Sequence, residues 1–229
     1  MTNSQAVIWD VDGTLVDTAE LHFQAWMRLA QERGLPFSRA DFHATFGRRN
    51  PEILRLLFGD QLSDVEVAEL GDHKETLYRE AARQGVELLP GVRPLLEGLR
   101  QEGWRQAIGS SAPRANLDLI LELTGVADYF AAVVAMEDTQ RGKPDPQVFQ
   151  LAARKLTLAP AHCLVIEDAV AGVEAAKAAG MTCIAVTFVG HHPAASLRQA
   201  GADLVVPNLE EVDAARVREL LRQGIGLSR

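Results

Sequence analysis

Two aspartates one residue apart follow a short apolar segment near the start of the chain. The segment AVIW at 6–9 is followed by Asp10 and Asp12, and then at once by Gly13. Carboxylates this close repel each other unless a cation or a proton lies between them. Gly13 permits a tight turn that redirects the second carboxylate. Mg²⁺ prefers such oxygen ligands together with a substrate phosphate. The pair therefore indicates phosphoryl transfer, with one Asp as the nucleophile on phosphorus and the other as general acid and base.

Three later apolar segments are also followed by side chains that could take part in this chemistry. In chain order these side chains are Ser110 and Ser111, then Lys143, then Glu167 and Asp168. Asp168 could complete a metal site with the first two aspartates. Lys143 and Ser110 could bind the phosphoryl oxygens, whose charge must be stabilised in the transition state.

These side chains require a scaffold that brings the ends of several strands together. Short apolar runs separated by helical stretches occur at 6–9, 105–109, 132–135, 163–166, 183–186 and 203–206. This alternation is typical of parallel strands covered by helices on both faces, and it predicts an α/β doubly wound fold. Because ligands bind beyond the carboxyl ends of parallel strands, we expect the polar residues to share one edge of the sheet.

The alternation is interrupted between the first two strands. About ninety residues there lack a convincing strand, and their pattern predicts helices at 19–33, 51–58 and 64–83, the last beginning after Ser63 with Glu66 in capping-box spacing. We therefore predict an α/β core formed by residues 1–17 and 88–229, and an inserted all-helical cap domain at 18–87.

Composition excludes several classes of function. The 229 residues are 47% hydrophobic and 24% charged, as in an ordinary globular protein, and the net charge of −8 disfavours nucleic acid or an anionic membrane as a partner. Cys163 and Cys183 each lie in an apolar run, which favours buried reduced thiols over a disulfide. No apolar run reaches the roughly 18 residues of a membrane span, so a cytoplasmic enzyme, monomeric or weakly dimeric, is expected.

Four motifs in order resemble those of the haloacid dehalogenase superfamily. They are DVDGT at 10–14, IGSS at 108–111, the Lys of GKPDP at 142–146, and IEDAVAGVEAAKAAGM at 166–181. The resemblance covers the whole chain and implies a Rossmann-like core, dependence on Mg²⁺ and phosphoryl transfer to or from a small phosphorylated metabolite. True dehalogenases of the superfamily lack the second Asp of the first motif, so Asp12 disfavours dehalogenation.

The same resemblance implies a role for each matching residue. Asp10 is the nucleophile, and Asp12 is the general acid and base, with its backbone carbonyl on the metal. Ser110 and Lys143 bind the phosphoryl group, and Ser111 is a further candidate substrate contact. Asp168 is a metal ligand, supported by Glu167.

The helical insertion resembles the cap of the subgroup that contains β-phosphoglucomutase and many sugar-phosphate phosphatases. The match is strongest at DTAELHFQAW, 17–26, where His22 and Trp26 stand at matching places, and at Lys74. It weakens at FGRRNPE, 46–52, where Phe46 and Asn50 replace a Lys and an Arg of the mutase. Arg48 and Arg49 lie nearby and are candidate substrate contacts.

Alternatives remain at each of these positions. After Ser110 the mutase continues with Ser, Lys and Asn, whereas this chain has Ala112, Pro113 and Arg114. This difference favours a phosphatase acting on a sugar phosphate over a phosphomutase. A third possibility is a non-catalytic binding protein that retains the fold.

Each candidate also has a purely structural interpretation. The aspartates of the first motif could cap a helix, Lys143 could be a solvated loop residue, and Glu167 with Asp168 could serve only the dipole of the helix that follows. His22 and Trp26 could be packing residues of the cap. The adjacent His191 and His192 precede Pro193 and are more typical of a loop than of a metal site.

Overall fold

The computed structural model describes residues 5–45 and 49–227. They divide into two compact units. One contains the chain up to Asp17 and from Glu87 onward, and the other contains Thr18–Val86. The first unit is called the core unit below, and the second the helical unit.

The core unit is built on one sheet of six parallel strands, as the sequence pattern predicted. The strands are β1 (Ala6–Trp9), β2 (Arg105–Gly109), β3 (Ala132–Val134), β4 (Cys163–Glu167), β5 (Thr182–Val186) and β6 (Leu204–Val206). Their order across the sheet is β3-β2-β1-β4-β5-β6, and every neighbouring pair is parallel. The order reverses direction at β1, where β2 lies on one side and β4 on the other. This is the topological switch point at which ligands bind in such folds.

Helices connect the strands of the core unit and cover the sheet. They are α5 (Val92–Gln101), α6 (Arg114–Thr124), α7 (Gln147–Lys155), α8 (Val170–Ala178), α9 (Ala194–Gln199) and α10 (Ala214–Leu227). One apolar layer joins Ile8 and Val165 of the two central strands to Phe149 of α7 and Val173 of α8. The α/β doubly wound prediction is confirmed, and both cysteines are buried and reduced as expected.

The helical unit contains α1 (Ala19–Glu32), α2 (Arg39–Thr45), α3 (Asn50–Phe58) and α4 (Asp64–Ala82). Ser63 and Glu66 form the capping box that the sequence predicted for α4. Helix α2 was not predicted, since RADFHAT is short and mostly polar and has a weak apolar period. Among the described residues, no helix combines the length and the apolarity that crossing a membrane requires.

A buried chain of hydrogen bonds fixes the end of β1. The indole Nε1 of Trp9 donates to Oε1 of Gln106 on β2 at 3.1 Å, and Nε2 of Gln106 donates to the carbonyl of Leu96 at 3.1 Å. Trp9 and Gln106 are both buried, so their polar atoms need these partners. The network ties β1, β2 and α5 together directly before Asp10.

Candidate active site

Asp10 lies at the carboxyl end of β1, at the switch point of the sheet. Its backbone N–H donates to the carbonyl of Ile166 on β4 at 3.0 Å, and only 6% of the residue is exposed. The chain then turns tightly, with the N–H groups of Leu15 and Val16 both donating to the carbonyl of Val11. Asp12 lies in this turn and is partly exposed. The turn therefore separates a buried carboxylate from a more accessible one.

Gly13 allows the turn to approach β4. Its φ of +82° lies in the left-handed region that favours glycine. A Cβ added at this position would lie 2.1 Å from Oδ2 and 2.5 Å from Cγ of Asp168. The backbone of the first motif thus occupies the space directly beside the Asp168 carboxylate, and no other residue type fits there without displacing it.

Lys143 links the ends of β1 and β4. Its Nζ lies 2.6 Å from Oδ1 of Asp10 and 2.6 Å from Oε1 of Glu167, and the side chain is only 9% exposed. The same ammonium lies 4.8 Å from the ring centre of Phe149. A buried ammonium with two carboxylate partners is held in one position and stays charged.

Glu167 is fully engaged by its neighbours. While Oε1 accepts from Lys143, Oε2 accepts from the backbone N–H groups of Asp168 and Ala169, each at 2.8 Å. Gly172 on α8 makes room for this carboxylate, because a Cβ there would lie 1.8 Å from Oε1. Glu167 therefore positions Lys143 and the loop that carries Asp168.

One carboxylate oxygen in the site lacks a partner. Oδ2 of Asp168 is buried and accepts no hydrogen bond from the described residues. Ligand atoms of Asp10, Glu167 and Asp168 lie within 4.8 Å of one another, and all three residues are buried. A buried carboxylate oxygen without a donor is costly. A divalent cation that prefers oxygen ligands would satisfy it, so the donor set fits such an ion.

The electrostatics of the site also favour a bound cation. Burial, followed by the nearby charges of Glu167 and Asp12, raises the pKa of Asp10 to about 7 despite Lys143. Burial and the charges of Glu167 and Asp10 raise the pKa of Asp168 well above its usual range. Burial by itself would lower the pKa of Lys143, but the two carboxylates outweigh it and raise that pKa. One ammonium is thus insufficient to keep the pKa values of Asp10 and Asp168 in their usual range, and a further positive charge would favour the ionised forms of both.

The remaining core candidates occupy the adjoining strand end. Ser110 is buried at the end of β2, and its Oγ accepts from the N–H of Ala112 at 3.1 Å, while Ser111 is exposed. Thr14, which sequence reasoning did not single out, is 1% exposed and its Oγ1 lacks a partner among the described residues. Its position in the DVDGT motif was the only available signal.

The predicted cap residues fall into two groups. His22 and Lys74 are in direct contact in the helical unit, with Nζ of Lys74 2.8 Å from Nδ1 of His22, and Trp26 is buried beside them, its ring centre 5.3 Å from Nζ of Lys74. Arg49 is partly buried and precedes α3 in an extended conformation. Arg48 lies outside the described residues.

Sequence reasoning missed Glu75 and Gly172. Glu75 is a buried partner of Lys74. In the sequence it reads as an ordinary helical acid next to a lysine, so no local signal distinguished it. Gly172 lies inside a helix, where an isolated glycine in the helical pattern was the available signal. The two histidines at 191 and 192 are partly buried in the segment between β5 and α9.

Comparison with known proteins adds independent evidence. A family model described as haloacid dehalogenase-like hydrolase matches residues 5–180. The chain is 35% identical over 222 residues to a β-phosphoglucomutase of Bacillus subtilis (strain 168), covering 94% of each chain. It is 32% identical to a phosphorylated carbohydrates phosphatase of Thermotoga maritima, covering 88% of this chain and 94% of the relative.

A similar solved structure supports the same relationship. The crystal structure of a family IA, variant 3 HAD hydrolase from Entamoeba histolytica HM-1:IMSS superposes with a TM-score of 0.87 at 26% identity. The match covers 95% of this chain and 99% of the other. Sequence and fold thus agree over nearly the full length.

Proposed function

This chain belongs to the haloacid dehalogenase-like hydrolases and is an enzyme that acts on phosphate esters, and we propose that it is a Mg²⁺-dependent phosphatase of phosphorylated sugars. The observation that carries the proposal is the arrangement around Asp10. Its buried carboxylate is held by Lys143, a carboxylate oxygen of Asp168 lies within 4.8 Å of one of Asp10, and Oδ2 of Asp168 lacks a partner among the described residues.

The proposed reaction has two steps. A carboxylate oxygen of Asp10 attacks phosphorus, the bond from phosphorus to the leaving oxygen breaks, and Asp12 gives its proton to that oxygen. Asp12 then removes a proton from water, whose oxygen bonds to phosphorus while the bond from phosphorus to the Asp10 oxygen breaks. Inorganic phosphate leaves, the Asp10 carboxylate is regenerated, and Asp12 is again protonated. Lys143 and the hydroxyl of Ser110 stabilise the phosphoryl oxygens in both steps.

The metal ligands in this proposal are the carboxylates of Asp10 and Asp168 with the backbone carbonyl of Asp12. When bound, Mg²⁺ supplies positive charge that ionises the carboxylates and neutralises the phosphoryl group. Glu167 takes a supporting place, because both of its oxygens already accept hydrogen bonds.

The loop after Ser110 favours a single phosphate over a bisphosphate. A mutase of this subgroup has Lys and Asn at the positions of Pro113 and Arg114. Here the Arg114 guanidinium donates to Asp138 at 2.5 Å and to the carbonyl of Val133 at 3.1 Å. Its charge is already partnered, so it is poorly placed to receive a second phosphate. This supports hydrolysis as the primary activity.

A phosphomutase is the second candidate. The relative from Bacillus subtilis that carries this name is 35% identical over 94% of both chains. In either case we propose that substrate selection depends on His22, Trp26, Lys74, Arg48 and Arg49, and that Ser111 is a further substrate contact.

The test is phosphate release from a panel of phosphorylated sugars, polyols and nucleotides with Mg²⁺. Asp10→Asn is expected to abolish turnover, whereas Asp118→Asn, the same change at an exposed aspartate on α6, should retain it. Appreciable turnover by Asp10→Asn would overturn the mechanism. Conversion of β-glucose 1-phosphate to glucose 6-phosphate with a trace of the bisphosphate would favour the mutase. If no ester in the panel releases phosphate, the result would support a non-catalytic binding protein.

A further inference from the structure

The helical unit contains a buried lysine in an unusual setting. Lys74 on α4 is 2% exposed, and its Nζ lies 2.8 Å from Nδ1 of His22 and 2.8 Å from Oε1 of Glu75. Glu75 is 5% exposed, and the same oxygen accepts from Nδ2 of Asn50 at 2.7 Å. Three helices thus meet at one buried ion pair, with His22 from α1, Asn50 from α3, and the pair itself on α4.

The hydrogen-bonding capacities of these groups determine the protonation of His22. An ammonium group has donors and no acceptor, so a bond between Lys74 and Nδ1 requires Nδ1 to carry no proton. The imidazole is then neutral, and its proton lies on Nε2. The carboxylate of Glu75 favours the charged form of Lys74 and thereby this assignment. In return, although burial acts to raise it, the Lys74 ammonium and the hydrogen bonds from Lys74 and Asn50 lower the pKa of Glu75 to about 2.

The ring of His22 is also fixed in orientation. It stacks on Tyr78 with centres 4.2 Å apart and planes 16° from parallel. The Lys74 ammonium lies 5.3 Å from the ring centre of Trp26 and 5.6 Å from that of Tyr78. Aromatic faces attract a cation, so these rings add to the hold on Nζ.

We propose that Glu75 is a positioning residue, which acts through Lys74 to hold His22 as the Nε2–H tautomer. His22 is then a hydrogen-bond donor to an oxygen acceptor, such as a carboxylate or a phosphate ester, and is not a proton acceptor at Nε2. This role rests on the proposed function, in which His22 and Lys74 take part in handling the substrate.

A purely structural role accounts poorly for this pair. The desolvation of two buried charges offsets much of the free energy that their attraction contributes. Apolar residues of similar size often stabilise a protein as well or better. A buried lysine beside a histidine nitrogen is, by contrast, a direct means of selecting a tautomer. The Glu75 charge keeps Lys74 an ammonium. A neutral amine could instead accept a hydrogen bond from Nδ1–H and so permit the other tautomer.

The first test measures the tautomer in the full chain without substrate. Two-bond ¹⁵N–¹H NMR correlations of the histidine rings distinguish a protonated from a bare ring nitrogen, and His22 is assigned from the peaks that His22→Gln removes. We expect Nε2 protonated and Nδ1 bare in the wild type. A proton on Nδ1, or a ring protonated at both nitrogens near pH 7, would overturn the inference even if no variant folds.

The second test separates positioning from folding. Glu75→Gln keeps the shape and removes the charge, and Glu69→Gln makes the same change at an exposed position of α4. We expect Glu75→Gln to populate the Nδ1–H tautomer and to lower kcat/KM by about 10-fold or more, the scale of a small misplacement of a functional group. The control should match the wild type in both measurements. If the two variants behave alike in either, Glu75 does not position His22.

The positioning role and the proposed function can fail separately. If the wild type releases phosphate from no ester, the phosphatase proposal fails while the NMR result still stands. If the wild type is active but Glu75→Gln changes neither spectrum nor kcat/KM, only the positioning role fails.

Discussion

Gly13→Ala tests whether the approach of the first motif to Asp168 is needed for the site. Two costs follow from the structure. The φ of +82° imposes a backbone penalty of about 1–2 kcal/mol on a residue with a Cβ. The new Cβ would also lie 2.1 Å from Oδ2 of Asp168, so the buried carboxylate must move by about 1 Å to reach an ordinary contact.

The second cost is expected to dominate activity. A displacement of about 1 Å in a functional group can lower a rate by about 100-fold. Moving Asp168 also removes the unpartnered oxygen from the proposed metal site. We therefore expect kcat/KM to fall by about 100-fold at saturating Mg²⁺, and the rise in melting temperature on adding Mg²⁺ to shrink.

Gly180→Ala supplies the matched control. Gly180 has a φ of +75°, and a Cβ there meets nothing within 4 Å. Its variant therefore carries the backbone penalty without the collision. The measurements are kcat/KM on the best ester of the panel and thermal unfolding with and without Mg²⁺. If Gly13→Ala stays within a few-fold of Gly180→Ala in activity, the close approach to Asp168 does not matter for the chemistry.

Three further predictions follow from the charges of the two units. Glu167→Gln leaves Lys143 with one carboxylate partner, and kcat/KM should fall about 10- to 100-fold with an unchanged circular dichroism spectrum; full activity would refute the positioning role of Glu167. Because burial raises the pKa of Asp10 from 3.8 to about 7, its carboxyl group lowers the stability of the metal-free fold as pH rises from 3.8 to about 7, and the full loss is present at pH 8. Asp10→Asn at pH 8 with chelator should therefore melt at least about 2 °C above the wild type. Added Mg²⁺ should reverse that order, and a lower melting temperature for the variant in chelator would contradict the reasoning. The pKa of Glu75 is lowered from 4.5 to about 2, so its stabilisation is present above pH 4.5 and lost as pH falls toward 2. Glu75→Gln should cost about 2–3 kcal/mol in urea unfolding at pH 7 and little near pH 2, and an equal cost at both values would exclude the charge as the cause.

The sequence was sufficient for the sheet because its strands are short, continuous and apolar. Parallel strands with both faces covered bury every residue, and the four residues of AVIW are fully buried in β1. The polar residues after these strands then had to share one edge, which is where the structure brings Asp10, Lys143, Glu167 and Asp168 together. Predicting that these side chains share one edge required only that the strands be parallel.

The sequence was insufficient where a contact joins distant residues without a local pattern. Glu167 was expected beside the metal, but nothing near it in the chain indicated that Lys143 and two backbone N–H groups would occupy both of its oxygens. The contacts of Lys74 with His22 and of Glu75 with Asn50 likewise depend on how three helices pack. Tertiary contacts determine such packing, and the apolar periodicity of one helix does not predict which residues of the other helices it will contact.

The position of β1 in the sheet has a consequence for the synthesis of the chain. β1 is made first, but its two neighbours begin only at Arg105 and Cys163. At about 5–20 residues per second on a ribosome, β1 waits roughly 5–20 s for its first partner and longer for its second. During that time AVIW is an apolar strand with both edges open, which is a hazard for aggregation. Charged residues that flank such a segment oppose its aggregation, and Asp10 and Asp12 directly follow AVIW. The carboxylates proposed for catalysis would thus protect the nascent chain before there is an active site to serve.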